Sequence, residues 1–488
     1  MSENIKTSAP RDAQWREELR KRHTAKERGA IPRVKMPELP ADYRVTNNEE
    51  VNQGLSREQA MLEATRCLDC PDPQCTHGCP VAINIPGFVK NIERGDFKAA
   101  DVVLRETSAL PAVCGRVCPQ EKQCESRCIY NKMKKEPVAI GYLERFAADA
   151  AKRVDAPTGE AEIVLNGIKV AVAGSGPAGL SFAGDMAKRG YDVTVYEALH
   201  EIGGVLKYGI PEFRLPNAVV DVEIESLKRL GVKFVRDCII GKTLSYDDLM
   251  KSGFKGLFVA SGAGLPRFMG IPGENLIGVM SSNEYLTRVN LMGAGREGCD
   301  TPVAKGKTAA IIGGGNTAMD SVRTARRMGA ERVMLVYRRS ESEMPARLEE
   351  VKHAKEEGVE FMTLHNPIEY IGDEKGRVCA MRVQRMELGE PDASGRRSPV
   401  PIEGAIDEIP VDMVIVSVGV SPNPLIPNSV DGLEVSSRGT IVVDDSTMCS
   451  SISNLYAGGD IVRGGATVIL AMGDGRRAAA SMAAALEK

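Results

Sequence analysis

Apolar positions in this chain follow different periods in different stretches, and the changes mark its organisation. Residues 1 to about 55 show no period. They are polar, charged and rich in proline, and read as an extended arm laid on another domain or subunit. The stretch SREQAMLEATRCLDC that follows has helical spacing, with Ser56 as N-cap and Gln59 three residues on, the two halves of a capping box. Such a helix delivers Cys67 and Cys70 at its C-terminal end. IPGFVKNIERGDFKAADVVLRETSAL reads as two amphipathic helices broken at Gly95-Asp96, and a further helix falls near GYLERFAADAAKR. The segment DAPTGEAE, residues 155–162, has the composition of a linker.

At Ile168 the pattern changes to an apolar β run, a glycine turn, a helix and another β run, and it occurs twice. The copies are IKVAVAGSGPAGLSFAGDMAKRGYDVTVYEA and KTAAIIGGGNTAMDSVRTARRMGAERVMLVYRR, each half of a doubly wound fold. A third piece, NLYAGGDIVRGGATVILAMGDGRRAAASMAAALE, predicts a short strand, a Gly-Gly-Asp turn and a long alanine-rich helix. A unit opened at Ile168 and completed at the C-terminus must carry the middle unit as an insertion. The expected fold is therefore α/β. An all-α N-terminal domain spans residues 1–155, an outer dinucleotide-binding domain spans 156–300 and 413–488, and a second such domain, 301–412, is inserted into it.

Composition narrows the function classes. At 488 residues the chain is too long for one core and should divide into about three domains. Its 43% hydrophobic and 26% charged residues are those of an ordinary globular protein. A net charge of -3 gives no reason to expect nucleic acid or an anionic membrane as partner. The N-terminal stretch MSENIKTSAPRDAQWREELRKRH has no apolar h-region, and no run of about 18 apolar residues exists to span a bilayer. These readings predict the cytoplasm, where clustered cysteines indicate metal binding or catalysis before disulfides.

Eight of the twelve cysteines fall in two groups. The first is C-x2-C-x4-C-x3-C over Cys67, Cys70, Cys75 and Cys79, followed by Pro80. The second is C-x3-C-P-x4-C-x3-C over Cys114, Cys118, Cys124 and Cys128. Both resemble, with altered spacing, the ferredoxin run in which a cysteine before proline serves a second cluster. By spacing alone, eight soft thiolates supply two four-iron clusters with nothing left over. Structural zinc or buried thiols is the bland alternative. Zinc sites favour paired C-x2-C knuckles, and only Cys67-Cys70 has that spacing. Cys238, Cys299, Cys379 and Cys449 are scattered and read as core or inert surface thiols.

The two glycine loops differ in a way that distinguishes their ligands. Gly174-Ser175-Gly176-Pro177-Ala178-Gly179 is a G-x-G-x-x-G turn that brings backbone N–H groups to a pyrophosphate at a helix N-terminus. Glu197, 18 residues past Gly179, suits a ribose and repels a 2'-phosphate. The second loop, Gly313-Gly314-Gly315-Asn316-Thr317-Ala318, ends its unit in Tyr337-Arg338-Arg339 instead. Guanidinium groups there suit the 2'-phosphate of NADP(H), the alternative being a solvated strand end. The outer domain then takes a nucleotide without that phosphate, FAD. Gly458-Gly459-Asp460 offers an aspartate to a ribityl hydroxyl, and the helix after Ala466-Thr467 turns its positive end to a flavin. No C-x2-C or C-x4-C pair adjoins the first loop, which argues against a disulfide reductase.

The motifs CLDCPDPQCTHGCPVAINIP, LPAVCGRVCPQEKQCESRC, PVAIGYLERF, AGSGPAGL, GGVLKYGIPEFRLP, GGGNTAMD, VYRRSESEMPA and AGGDIV, in this order, cover nearly the whole chain from about residue 35. With them the chain resembles the small (β) subunit family of NADPH-dependent glutamate synthase. Its relatives include the N-terminal half of dihydropyrimidine dehydrogenase and the large subunit of NADH-dependent reduced ferredoxin:NADP oxidoreductase. The resemblance implies one [4Fe-4S] cluster on Cys67, Cys70, Cys75 and Cys128 and another on Cys79, Cys118, Cys124 and Glu144, where some relatives have glutamine. Cys114 then drops out, which corrects the count of eight thiolates. The resemblance also lays Gly204, Val205, Leu206, Ile210 and Arg214 along the flavin. Gly262 and Val468 complete the expected FAD set, and Gly419 the NADPH set. The implied activity is NADPH oxidation through FAD, with cofactor-borne hydride transfer and electrons passed through two clusters to a partner. That partner is the glutamate synthase large subunit or, alternatively, ferredoxin and a small NADH-binding flavoprotein in a bifurcating complex. A non-catalytic scaffold is the third reading, disfavoured by intact Glu197, Arg338, Arg339 and Asp460.

Overall fold

A computed structural model describes residues 8–152, 163–391, 393 and 395–487. The linker expected at 155–162 and the domain boundary beside it lie outside the described residues.

The arm is less extended than its composition suggests. It forms short helices at Gln14–Arg22, Ala25–Ala30 and Ala41–Arg44. Thr24 and Glu27 satisfy each other's backbone N–H groups in a capping box, which explains a helix in a stretch with no apolar period. The arm does pack on other parts of the chain. Arg28 donates to Glu93 and to Thr65 O in the helical domain, and Arg44 reaches Glu357 far along the chain.

The helical domain follows its local signals. Ser56 and Gln59 make both capping-box bonds at the start of Arg57–Thr65, so Cys67 and Cys70 follow directly. Asp96 caps Phe97–Arg105 after Gly95 leaves the preceding helix, Ile85–Glu93, at φ +83°. Pro111–Val117 packs on Ile140–Lys152 at Gly115, where an added Cβ would lie 2.4 Å from Arg145 N. That approach sets Cys114 and Cys118 against the helix carrying Glu144.

Two five-stranded parallel sheets follow. The first runs in the order Leu455–Ala457, Phe254–Val259, Lys169–Ala173, Asp192–Tyr196, Lys233–Val235, so the C-terminal strand completes a sheet begun at Lys169. The second runs Val279–Ser281, Met413–Val416, Thr308–Ile312, Arg332–Tyr337, Glu360–Thr363. It reaches outside the expected 301–412 span at both ends, taking Val279–Ser281 as an edge strand and Met413–Val416 as the interior strand beside it, because neither short strand carries a glycine-turn signature. A three-stranded antiparallel sheet (His365–Gly372, Val378–Pro391, Arg397–Pro410) adjoins it and was not anticipated from sequence. The helices Pro177–Ala187 and Val468–Leu486 cross closely at Gly475, whose added Cβ would lie 2.4 Å from Ala178 O. Among the described residues no helix is long and apolar enough to cross a membrane.

Candidate functional site

Both glycine loops open on one cavity of about 1280 Å3, more than the 300–1,000 Å3 of an ordinary small-molecule pocket. Of the residues expected at the two nucleotide sites, all line it except Gly179, Leu206 and Ala318. Those three do packing work. An added Cβ on Gly179 would sit 2.0 Å from Gly174 O, and Leu206 and Ala318 are fully buried in the cores. Gly174 itself (φ +106°) needs the left-handed region, and its Cβ would lie 2.4 Å from Ala260 O.

The polar groups of the wall are already organised. Glu197 accepts from the Ser175 N–H at 2.9 Å and from the Leu199 N–H at 2.9 Å, which fixes the carboxylate and leaves lone pairs for a ribose. Asp460 accepts from the Ala466 N–H at 3.1 Å, and burial raises its carboxyl to about 6. Thr467 caps the long C-terminal helix, whose N-terminal turn faces the cavity at Thr467 and Val468. Arg338 is exposed at the end of its strand, while Arg339 is buried with Nε donating to Arg397 O at 2.8 Å. Arg214 lines the cavity, but its guanidinium is engaged by Asp320 at 2.6 Å and by Glu350 at 3.0 Å, so it clasps the two nucleotide units together. His365, Asn366 and Arg396 also line the wall. Sequence reasoning missed them because the antiparallel sheet that brings them there carries no motif. Cys238 is the one cysteine among the described residues of the wall, so the wall presents no dithiol pair.

The other expected cysteines gather as two groups. Burial pushes up the thiols of Cys67 (to about 11), Cys70 and Cys75, and the charge of Cys128 adds to each. Burial likewise raises Cys79 (to about 12) and Cys124; Glu144 and Cys118 add to both, and Glu125 and Cys79 add to Cys124. Glu144 is buried, its carboxyl is raised to about 8 by burial and then by Glu223, and its Oε1 has no hydrogen-bond partner. Soft thiols gathered with a buried carboxyl whose oxygen has no protein partner form a donor set that a cationic cluster would satisfy. The residues present therefore fit iron–sulfur ligation. Cys114 lies beside the second group, fully buried, with its Sγ 3.4 Å from Met472 Sδ. Among the described residues no three cysteine sulfurs lie within 4.8 Å of one another. The second group abuts the cavity: Val117 and Pro119, either side of Cys118, line its wall. Pro80 O, next to Cys79, packs on Gly473 of the C-terminal helix, 2.9 Å from where a Cβ would stand. The four cysteines of the first group are all half-buried, nearer the surface than Cys118 and Cys124.

Comparison with known proteins agrees with this geometry. Residues 44–156 match the family described as dihydropyrimidine dehydrogenase domain II, 4Fe-4S cluster. Residues 168–475 match the pyridine nucleotide-disulphide oxidoreductase family. FprA from Mycobacterium tuberculosis shares the fold, with a TM-score of 0.56 at 20% identity over 66% of this chain and 85% of that one. The molecule is thus an oxidoreductase of FAD and NADP(H) with an appended iron–sulfur domain. The small chains of glutamate synthase [NADPH] from Escherichia coli K12 and Azospirillum brasilense are 36% and 37% identical to it, over 92% and 91% of this chain and 96% and 93% of theirs. The chain belongs to that small-chain family. It is also 40% identical to the β subunit of the NADP(+)-dependent formate dehydrogenase of Moorella thermoacetica, of which it spans 59% of the length.

Proposed function

We propose that this chain oxidises NADPH and passes the electrons through two [4Fe-4S] clusters to the large subunit of a glutamate synthase, which uses them to make L-glutamate from glutamine and 2-oxoglutarate. The observation that carries the reading is the shared cavity: both nucleotide loops and the residues flanking Cys118 form parts of one wall. When bound, FAD supplies the conversion of a hydride into single electrons, and the clusters supply one-electron transfer.

The chain's own residues bind and orient. Arg338 and Arg339 take the 2'-phosphate, Glu197 takes the ribose of the other nucleotide, and Asp460 takes a ribityl hydroxyl. Cys79, Cys118, Cys124 and Glu144 hold the cluster beside the cavity. Cys67, Cys70, Cys75 and Cys128 hold the one nearer the surface. Holding two nucleotides against one another removes the entropic cost of their encounter.

The test is anaerobic mixing. NADPH should bleach the flavin of the purified chain, and addition of a glutamate synthase large subunit should give glutamine-dependent NADPH oxidation. No bleaching refutes the NADPH assignment. Bleaching with turnover only on ferredoxin plus NADH transfers the chain to a bifurcating complex.

A further inference from the structure

We infer that the N-terminal arm is a clamp on the first cysteine group, with Asp69 as a positioning residue and Arg16 and Arg20 as its grip. The inference rests on the reading that Cys67, Cys70, Cys75 and Cys128 hold a four-iron cluster. Asp69 stands between two of those cysteines and is completely buried. Its backbone takes φ +52°, in the left-handed region that aspartate enters more readily than most residues, and its surroundings hold it there.

Those surroundings come from the arm. Arg16, itself 2% exposed, donates from Nε to both Asp69 oxygens at 3.0 and 3.2 Å and from Nη2 at 2.5 Å. Arg20 adds Nη1 at 2.7 Å. Arg11 donates to the Asp69 carbonyl at 3.0 Å, and Lys90 Nζ to the Cys67 carbonyl at 2.6 Å. Both ends of the Cys67–Cys70 loop are thereby tied by cations. Two guanidiniums on one buried carboxylate are costly to desolvate, and removing one partner leaves the other charge uncompensated.

Two consequences follow. The loop is held in the shape that presents both thiolates, so loosening the clamp should weaken iron retention at this group alone. The partners also set the local charge. A reduced cluster carries one more negative charge than an oxidised one, so nearby cations favour reduction and nearby anions oppose it. Asp69→Asn removes an anion and leaves the arginines, so the potential of the first cluster should rise. Arg16→Gln with Arg20→Gln leaves the carboxylate bare, so it should fall.

The experiment uses the full chain purified without oxygen, with iron-to-flavin ratio, chelator-driven iron release and a redox titration followed by electron paramagnetic resonance. Wild type should show two cluster signals, and a wild type without the first refutes the ligand assignment and leaves the clamp without an object. In Asp69→Asn the first cluster should lose iron roughly tenfold faster or more, the range seen when partners of metal ligands are removed. The second cluster and the flavin should be unchanged. Arg20→Gln alone, at a residue whose side chain is 21% exposed, serves as the milder variant should Asp69→Asn fail to fold. Arg22→Gln on the same helix, exposed, should match wild type. The clamp is overturned if Asp69→Asn, or Arg20→Gln in its place, releases iron at the wild-type rate with an unchanged potential. It is also overturned if the carboxylate and arginine variants move the potential in the same direction.

Discussion

Glu357→Gln should loosen the second nucleotide unit and the arm together. Glu357 is 3% exposed and receives three arginines. Arg44 Nε lies at 2.9 Å, Arg323 donates at 2.8 to 3.2 Å, and Arg327 Nη1 lies at 2.7 Å. Breaking a buried pair from one side costs about 3–5 kcal/mol. Here the lower end applies, because each arginine keeps another acceptor: Glu356 for Arg44, Glu350 for Arg323 and Asn47 O for Arg327. Escape to water is blocked, since Arg323 and Arg327 lie over the Phe213 ring at 4.6 and 3.9 Å. About 3 kcal/mol corresponds to roughly 100-fold faster local opening. Hydrogen exchange of the helix Asn316–Arg327 and of arm residues 38–53 reads it directly. A double-mutant cycle with Arg44→Met should be less than additive, because both changes remove the same contact. The acid limb follows with its sign. Burial alone would raise the Glu357 carboxyl, but Arg323 and Arg327 outweigh burial and hold it at about 2. A depressed carboxyl stabilises the fold above its unfolded value of about 4.3, and that contribution is lost as pH falls towards 2. The variant should therefore lose less stability than wild type over that window. Exchange within threefold of wild type, or an unchanged acid limb, would refute the reasoning.

Replacing Arg338 and Arg339 with alanine should raise the NADPH KM by roughly 10–100-fold, as expected for lost charge-assisted bonds, while the NADH KM moves little. Equal changes would remove the phosphate assignment. Gly179→Ala forces a Cβ to within 2.0 Å of Gly174 O, so the purified variant should be depleted in flavin. Full flavin content would show that the loop tolerates the shift. Glu144→Ala should lower iron from about eight to about four atoms per chain, whereas Cys114→Ala should leave it unchanged. Loss of iron in Cys114→Ala would exchange the two roles.

Much of the site was legible because its signals are local. Ser56 and Gln59 close a capping box within one turn, and Gly174 to Gly179 form a glycine turn between a strand and a helix. Other residues were less transparent. Arg214, which the resemblance lays along the flavin, lines the cavity and also pairs with Asp320 and Glu350 in the other nucleotide unit, a contact no local pattern shows. His365, on an antiparallel strand, and Arg396, just before the next one, went unnoticed because that sheet carries no recognisable motif.

The amino-acid order by itself determined the two β–α–β units, the opposite charges at the ends of their second strands, and the helix starts and stops around the cysteines. Each depends on residue identity and hydrogen bonds within a few positions of the chain. Tertiary structure alone decided which strands from outside 301–412 joined the second sheet, how Arg11, Arg16 and Arg20 reach Asp69, and that the neighbours of Cys118 line the cavity shared by both glycine loops. These are distances between segments far apart in the chain, set by how whole helices and sheets pack, and no local period encodes them.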